Sequence, residues 1–243
     1  MFFDPHVHSE GLGVTELRKM KENGIRRVCS LSFYPVKPLF PQTLIDAFRK
    51  LEEFEKRRCE ILGIEMIPGV GVHPRCIPPD YWTVLLHLEA NDWDLFGEIG
   101  LENVTKEEVD VFREQLRIAK SKDIPCIVHT PRTNKREVTQ KILEVLESVS
   151  FPPELAVLDH VNFENLDLVL KKEYWIGLTV QPGKLSVGDV AKILSEHGSE
   201  RFMVNSDSGY GNEFVTAVAE VAKAIGKEAE KVCLKNAEKF LGL

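Results

Sequence analysis

The stretch FDPHVHSE, residues 3–10, places an aspartate and two histidines at alternate positions. In a β-strand the side chains alternate between faces, so Asp4, His6 and His8 would project to the same side. Two imidazoles one repeat apart can share a metal ion. An isolated His-x-His also occurs as half-exposed residues on an edge strand, so the rest of the chain must decide between these two interpretations.

Short β-rich runs alternate with longer segments of helical period along the whole sequence. Eight runs predict strands, at residues 2–8, 25–33, 64–72, 95–99, 125–130, 154–161, 174–180 and 201–207. The main helical patterns cover residues 15–23, 41–62, 105–122, 134–148 and 186–197, with shorter ones at 81–88 and 162–171 and two more at about 213–225 and 228–241. Gly24 predicts a left-handed helix end, and Thr105 with Glu108 predicts a capping box.

Eight strand and helix repeats in 243 residues predict an α/β fold, a (β/α)8 TIM barrel that occupies residues 1–243 as a single domain. An open doubly wound sheet is the alternative. It is disfavoured because no Gly-x-Gly-x-x-Gly loop follows the first strand, and GVGVHP at 69–74 falls within a strand.

Polar residues that can bind metals recur at the carboxyl ends of these strands. His6 and His8 end the first strand, and the others are His73, Glu98, His129, His160 and Asp207, after strands 3, 4, 5, 6 and 8. In a barrel these ends converge on one face, where such enzymes build their sites. Burying so many polar groups without partners would cost several kcal/mol each. A cation supplies the missing partner.

The donor set indicates which metals would bind. Four imidazoles and two carboxylates, with no thiolate, suit borderline or hard divalent ions, with Zn²⁺ the first choice and Mn²⁺, Mg²⁺, Ni²⁺ or Fe²⁺ as alternatives. Six ligands exceed the need of one tetrahedral ion. Two ions about 3.5–4 Å apart, bridged by Glu98 and a shared hydroxide, would use them all. Asp4 is then a candidate partner for a ligand imidazole.

The motifs FDPHVH, GVHP, GEIGLE, PCIVHTPR, LDHVNF and NSDSGYG, closed by NAEKFLGL, resemble those of the TatD-like metal-dependent hydrolases of the amidohydrolase superfamily. The resemblance implies a binuclear site. His6, His8, Glu98 and Asp207 would hold one ion, and Glu98, His129 and His160 the other. It also implies phosphodiester hydrolysis of the deoxyribonuclease or exonuclease kind, with His73 in the substrate pocket.

The catalytic roles follow from this set. Asp207 is expected to accept a proton from the attacking water, beside Glu98 and His73. The basic residues predicted to neutralise a substrate phosphate are Arg75, Arg132 and Lys135. The sequence departs from the family pattern in two places: Asn205-Ser206 stands where Glu-Thr is usual, and Arg132 lies three residues after His129 instead of two.

Composition limits the partners. The net charge of −7 and pI of about 5.6 argue against gripping long nucleic acid, so the expected substrate is a small molecule or a DNA end. No apolar run is long enough for a membrane span. Five separated cysteines without a Cys-x-x-Cys pair indicate reduced thiols. We therefore expect a cytoplasmic protein, a monomer or a small homo-oligomer.

Three other functions stay open. The first is a small-molecule hydrolase acting on a lactone, an amide or a phosphate ester with the same metals, because fold and metals do not fix the substrate. The second is a PHP-type phosphoesterase, which is disfavoured because Ser208 and Gly209 follow Asp207 where that family ends with Asp-x-His. The third is a non-catalytic metal-binding protein.

Overall fold

Strands and helices alternate along the chain in the computed structural model, which describes residues 1–211 and 214–243. The strands are β1 (Phe2–Val7), β2 (Ile25–Leu31), β3 (Glu65–Gly69), β4 (Phe96–Gly100), β5 (Cys126–His129), β6 (Ala156–Leu158), β7 (Trp175–Thr179) and β8 (Phe202–Asn205). Each lies within one of the runs predicted from the sequence or extends one residue past it. Their β-branched and aromatic residues are almost all buried, as expected for strands covered on both faces.

The helices fill the intervals between the strands. They are α1 (Val14–Glu22), α2 (Gln42–Lys50), α3 (Lys56–Ile61), α4 (Tyr81–Ala90), α5 (Lys106–Ser121), α6 (Lys135–Ser148), α7 (Leu166–Leu170), α8 (Val187–His197), α9 (Ala217–Ile225) and α10 (Asn236–Leu241). The pattern at 213–225 predicted that α9 begins earlier, at residue 213, which lies outside the described residues. Gly24, at φ +85°, ends α1 in the left-handed conformation as predicted.

Three helix predictions need correction. Residues 41–62, predicted as one helix, form α2 and α3 joined by the π-helical turn Leu51–Glu55. Residues 228–241, also predicted as one helix, contain the π-helical turn Lys231–Lys235 directly before α10. The capping box at α5 is only half formed. Thr105 Oγ1 accepts the N–H of Glu108, but the Glu108 carboxylate accepts the N–H groups of residues 102–104 instead of that of Thr105. The three preceding amides would otherwise lack partners.

The chain forms two compact units. The first comprises Met1–Ser30, Leu51–Ile67 and Trp175–Leu243. In it β1 pairs in parallel with β2, and β7 pairs in parallel with β8. The chain after β8 continues beside β1, because Asp207 N donates to His6 O at 2.9 Å and His8 N donates to Ser208 O at 2.8 Å. This pairing brings the ends of the first and last strands together.

The second unit comprises Leu31–Lys50 and Pro68–Tyr174. Here β4 pairs in parallel with β5 and β5 with β6, while Val70, just after β3, bridges to Phe96 at the start of β4. Helix α5 packs on β4 through its apolar face, which includes the fully buried Phe112. The carboxyl ends of β4, β5 and β6 therefore lie side by side.

The state of the cysteines and the length of the helices can be compared with the sequence predictions. All five cysteines are buried free thiols, as their spacing predicted. Within residues 1–211 and 214–243, no helix has the length and apolar character of a membrane span.

Candidate metal centre

Three predicted ligands meet in the first unit, and we call His6, His8 and Asp207 the first ligand group. The Nε2 atoms of His6 and His8 lie 3.3 Å apart, so the two rings project to the same side of β1 as the alternation predicted. Asp207 Oδ1 lies 3.3 Å from His6 Nε2 and 3.1 Å from His8 Nε2. The three atoms form a nearly equilateral triangle.

This triangle has the dimensions of a coordination site. Ligand atoms bound to one tetrahedral zinc at about 2.0–2.1 Å are about 3.3 Å from each other, and octahedral coordination at about 2.1 Å gives about 3.0 Å. The observed separations of 3.1–3.3 Å match both. The donor set of two imidazoles and a carboxylate also fits a divalent ion, so the residues present fit the expected metal.

Asp207 is held in place from both sides. Its φ of +47° lies in the left-handed region, which a non-glycine residue adopts only when its surroundings require it. Its N–H donates to His6 O, and its Oδ2 accepts hydrogen bonds from Gln181 Nε2 at 2.6 Å and Lys184 Nζ at 2.5 Å. These contacts leave Oδ1 directed at the two imidazoles.

Asp4 lies below the first ligand group and is fully buried. Its Oδ1 accepts the main-chain N–H groups of His6 and Ser206, at 3.3 and 3.1 Å. The carboxylate thus supports the backbone that carries the ligands, whereas the sequence suggested a partner for a ligand ring. Burial raises the pKa of Asp4 to about 7, against the lowering effect of the hydrogen bonds from Ser206 and His6.

The second unit brings together Glu98, His129 and His160, which we call the second ligand group. Glu98 Oε1 lies 2.8 Å from His129 Nδ1 and 2.8 Å from His160 Nε2. All three side chains are at least nine-tenths buried. Glu98 is the third residue of β4, His129 ends β5, and His160 follows the end of β6 by two residues. These strands are neighbours, so the strand order explains why the three side chains meet.

A carboxylate that was not assigned from the sequence completes this environment. Glu102 Oε2 lies 2.7 Å from His129 Nε2, so His129 stands between two carboxylates. Burial opposes protonation of His129, but the nearby Glu98 and Glu102 outweigh it and raise the pKa of His129. Burial likewise opposes ionisation of Glu102, yet its hydrogen bond with His129 and the charge on that ring lower the pKa of Glu102.

His160 is strained, and Lys135 secures it. The φ of His160 is +58°, and its N–H donates to its neighbour Asp159 at 2.7 Å. Lys135 Nζ donates to the carbonyl oxygen of His160 at 2.9 Å and to Thr130 Oγ1 at 3.0 Å. Lys135 is buried, and these bonds direct its ammonium to the ends of β5 and β6.

His73 is positioned as a hydrogen-bond donor. Its Nδ1 accepts the N–H of Arg75 at 3.1 Å, which places the proton of the neutral ring on Nε2. That nitrogen lies 3.6 Å from Glu98 Oε2. A protonated Nε2 has no lone pair for a metal, so this tautomer favours contact with a carboxylate or a substrate oxygen.

The two predicted arginines lie at the surface of the second unit. Arg75 is exposed, with its guanidinium 5.5 Å from the centre of the Phe33 ring. Arg132 is exposed in the turn that leads into α6. Contact of Arg75, Arg132 or Lys135 with a substrate phosphate stays a prediction.

The residues missed from the sequence belong to turns. Gln181 and Lys184, which hold Asp207, flank the Pro182-Gly183 pair directly after β7, and that pair was the available signal. Glu102 stands in GEIGLE, four residues after Glu98 and two residues after the end of β4, but only Glu98 was assigned from this motif.

Comparison with known proteins finds relatives that match nearly the whole chain. Residues 3–242 match the profile of the family described as TatD related DNase. A protein of Methanocaldococcus jannaschii named as an uncharacterized metal-dependent hydrolase is 33% identical over 99% of both chains. The crystal structure of a TatD-like protein from Archaeoglobus fulgidus is 59% identical and covers 100% of both chains, with a TM-score of 0.91. The predicted fold class, a (β/α)8 barrel fold, is confirmed by this likeness.

Proposed function

This chain belongs to the TatD related DNase family and is a metal-dependent hydrolase, and we propose that it hydrolyses phosphodiesters with two divalent ions. The proposed substrate is a DNA end or a small nucleotide. The observation that carries the proposal is the first ligand group, whose three donor atoms already have the spacing of a coordination site. His6, His8 and Asp207 would hold one ion. Glu98, His129 and His160 would hold the other.

Divalent ions in such a centre lower the pKa of a bound water and polarise a phosphoryl oxygen. The protein supplies position and charge. Gln181 and Lys184 fix Oδ2 of Asp207, so this carboxylate can accept a proton without turning away from the imidazoles. The proton on His73 Nε2 can be donated to a substrate oxygen.

Charge supports an anionic substrate at the first ligand group. The positive charge of Lys184 balances the negative charge of Asp207, and the two imidazoles are neutral when they act as ligands. A divalent ion held there keeps its charge uncompensated, which favours a phosphate diester. Because the net charge is −7, we expect the protein to contact only one or two phosphates of a substrate. The same acidic charge favours a second candidate function, hydrolysis of an uncharged small ester, lactone or amide.

The test is hydrolysis by protein stripped of metal with a chelator and reloaded separately with Zn²⁺, Mn²⁺, Mg²⁺, Ni²⁺ or Fe²⁺. We expect elemental analysis to find about two ions per chain. We expect hydrolysis of bis(p-nitrophenyl) phosphate and of an end-labelled oligodeoxynucleotide only after reloading. Asp207→Asn should lose most turnover, while Asp92→Asn, at an exposed surface position, should keep it.

Two outcomes would reject the proposal. Undiminished hydrolysis by the stripped protein would remove the metals from the reaction. Protein that binds metal and cleaves a lactone or amide, but no phosphodiester with any ion, would replace this function with the second candidate.

A further inference from the structure

A cavity of about 520 Å³ lies in the first unit, beside the loop that follows β7. We call it the β7 pocket. Its wall is mainly apolar and is formed by Val180, Pro182, Leu185, Val187 and Phe214, with Gln181 and Lys184 also in the lining. Small-molecule sites commonly measure about 300–1,000 Å³ and combine apolar walls with a few placed polar groups. The β7 pocket has this size and composition.

The turn at residues 181–184 connects the β7 pocket to the first ligand group. Lys184 N donates to Gln181 O at 3.0 Å, and Gly183 has φ +84°, which fits a type II turn with proline and glycine at its two central positions. Gln181 and Lys184 therefore stand side by side at the two ends of the turn. Both line the β7 pocket, and both donate to Oδ2 of Asp207.

Gln181 is held in place by Asp207. Its Nε2 donates to Asp207 Oδ2 at 2.6 Å, and this contact fixes which end of the amide is the oxygen. The side chain is 96% buried, since its exposed fraction is 4%, and Oε1 is fully enclosed. Gln181 therefore gives the β7 pocket a fixed wall beside Asp207, and the polar group left to meet a ligand is the Lys184 ammonium.

We propose that the β7 pocket binds the organic group of the substrate, a flat and largely apolar ring of nucleobase size attached to the scissile phosphate. The apolar wall packs against that ring, and the Lys184 ammonium contacts the neighbouring phosphoryl oxygen. The apolar wall does not distinguish one base from another, so the pocket selects for the presence of a ring. This inference rests on the proposed function and specifies the substrate on one side of the phosphate.

The test narrows the pocket with Val187→Trp. Val14→Trp is the matched control, because each valine is the first residue of its helix, at the start of α8 and α1 respectively. For Val187→Trp we expect the ratio of kcat/KM for thymidine 5′-(p-nitrophenyl phosphate) to that for methyl p-nitrophenyl phosphate to fall about ten-fold. The ratio should stay at the wild-type value in Val14→Trp. If the tryptophan variant does not fold, Val187→Phe takes its place, with thermal unfolding as the check.

Equal losses on both substrates, or an unchanged ratio, would overturn the inference and leave the proposed function standing. Binding separates the two claims if no phosphodiester is cleaved. Calorimetry on the metal-loaded protein should show thymidine 5′-monophosphate binding about ten-fold more tightly than inorganic phosphate, and Val187→Trp should remove most of that difference. Equal affinities in the wild-type protein would reject the pocket as a ring site.

Discussion

Arg58 of α3 supports the loop that follows the first ligand strand, and its removal gives a measurable prediction. Its guanidinium donates to Leu12 O at 2.9 Å, to Ser9 O at 2.5 Å and to Glu55 Oε2. Ser9 comes directly after His8, and its N–H donates to Ser30 Oγ at 2.9 Å. One side chain therefore joins the buried acid Glu55 to the turn beside a metal ligand.

The expected cost of Arg58→Met comes mainly from Glu55. The Glu55 side chain is 3% exposed and would lose its cationic partner. Removing one member of a buried ion pair costs about 3–5 kcal/mol. The Arg58 side chain is 20% exposed, so water screens part of the interaction, and we expect the free energy of unfolding to fall by about 3 kcal/mol. For a chain of this size that lowers Tm by about 6–12 °C.

The assay compares this pair with a surface pair of the same spacing. Arg49 and Asp46 are also three residues apart, but their side chains are 68% and 67% exposed, so Arg49→Met should cost about 0–1 kcal/mol. Urea unfolding gives both values. The double variant Arg58→Met with Glu55→Leu should be more stable than Arg58→Met alone, because the unpaired charge is gone. Competition with a zinc chelator should show weaker metal binding in Arg58→Met and unchanged binding in Arg49→Met.

The reasoning would be refuted if Arg58→Met cost no more than Arg49→Met, since Glu55 would then not depend on its partner. A stability loss with unchanged zinc affinity would separate the fold from the site. It would show that the turn at residues 9–11 does not need Arg58 to place His8.

Three further predictions follow from single contacts. Glu108→Gln removes the charge from an oxygen that accepts three main-chain N–H groups at 2.8–2.9 Å. Its free energy of unfolding in urea should therefore be about 1–2 kcal/mol lower than that of Glu107→Gln, a half-buried neighbour; equal midpoints would contradict this. Gly183→Ala should lower the free energy of unfolding by about 1–2 kcal/mol because the φ of Gly183 is positive. Gly188→Ala, inside α8 with room for a methyl group, should raise it by about 0.5 kcal/mol. The reverse order of the two melting temperatures would contradict the turn assignment. Burial raises the pKa of every cysteine thiol, to about 11 or 12 at three of them; the residues are Cys29, Cys59, Cys76, Cys126 and Cys233. Ellman's reagent at pH 8 should therefore label the native protein slowly and all five thiols in denaturant. A native thiol that is labelled rapidly would refute this.

Most strands were predictable because burial on both faces makes them nearly continuous apolar runs, and all eight predicted runs contain a strand. Their polar ends were predictable for the same reason, because a histidine or acid that interrupts such a run is conspicuous. The π-helical turn at Leu51–Glu55 was not predictable from the periodicity of 41–62, since one extra residue in a turn hardly changes the pattern of a helix this long.

The contacts made by turns were not predictable, because they depend on the three-dimensional path of the backbone. Glu108 stands at the capping-box position of α5, yet its carboxylate turns to three amides of the preceding loop. The sequence shows the acid and the spacing but not which donors lack a partner. The Pro182-Gly183 pair between Gln181 and Lys184 predicts a turn, but it does not show that both side chains contact Asp207, which follows only from the geometry of that turn.

The roles of the basic residues near the ligands were the hardest to predict from the sequence, and the reason is electrostatic. A site built to hold divalent cations repels other cations, so a lysine or arginine can be buried nearby only where carbonyl groups or an acid compensate its charge. Lys135 meets this condition at the carbonyl of His160, Lys184 at Asp207 Oδ2, and Arg58 at Glu55 and the carbonyl of Ser9. Each therefore fixes a loop that carries or adjoins a ligand, which is a role that residue type and spacing alone do not distinguish from binding a substrate phosphate.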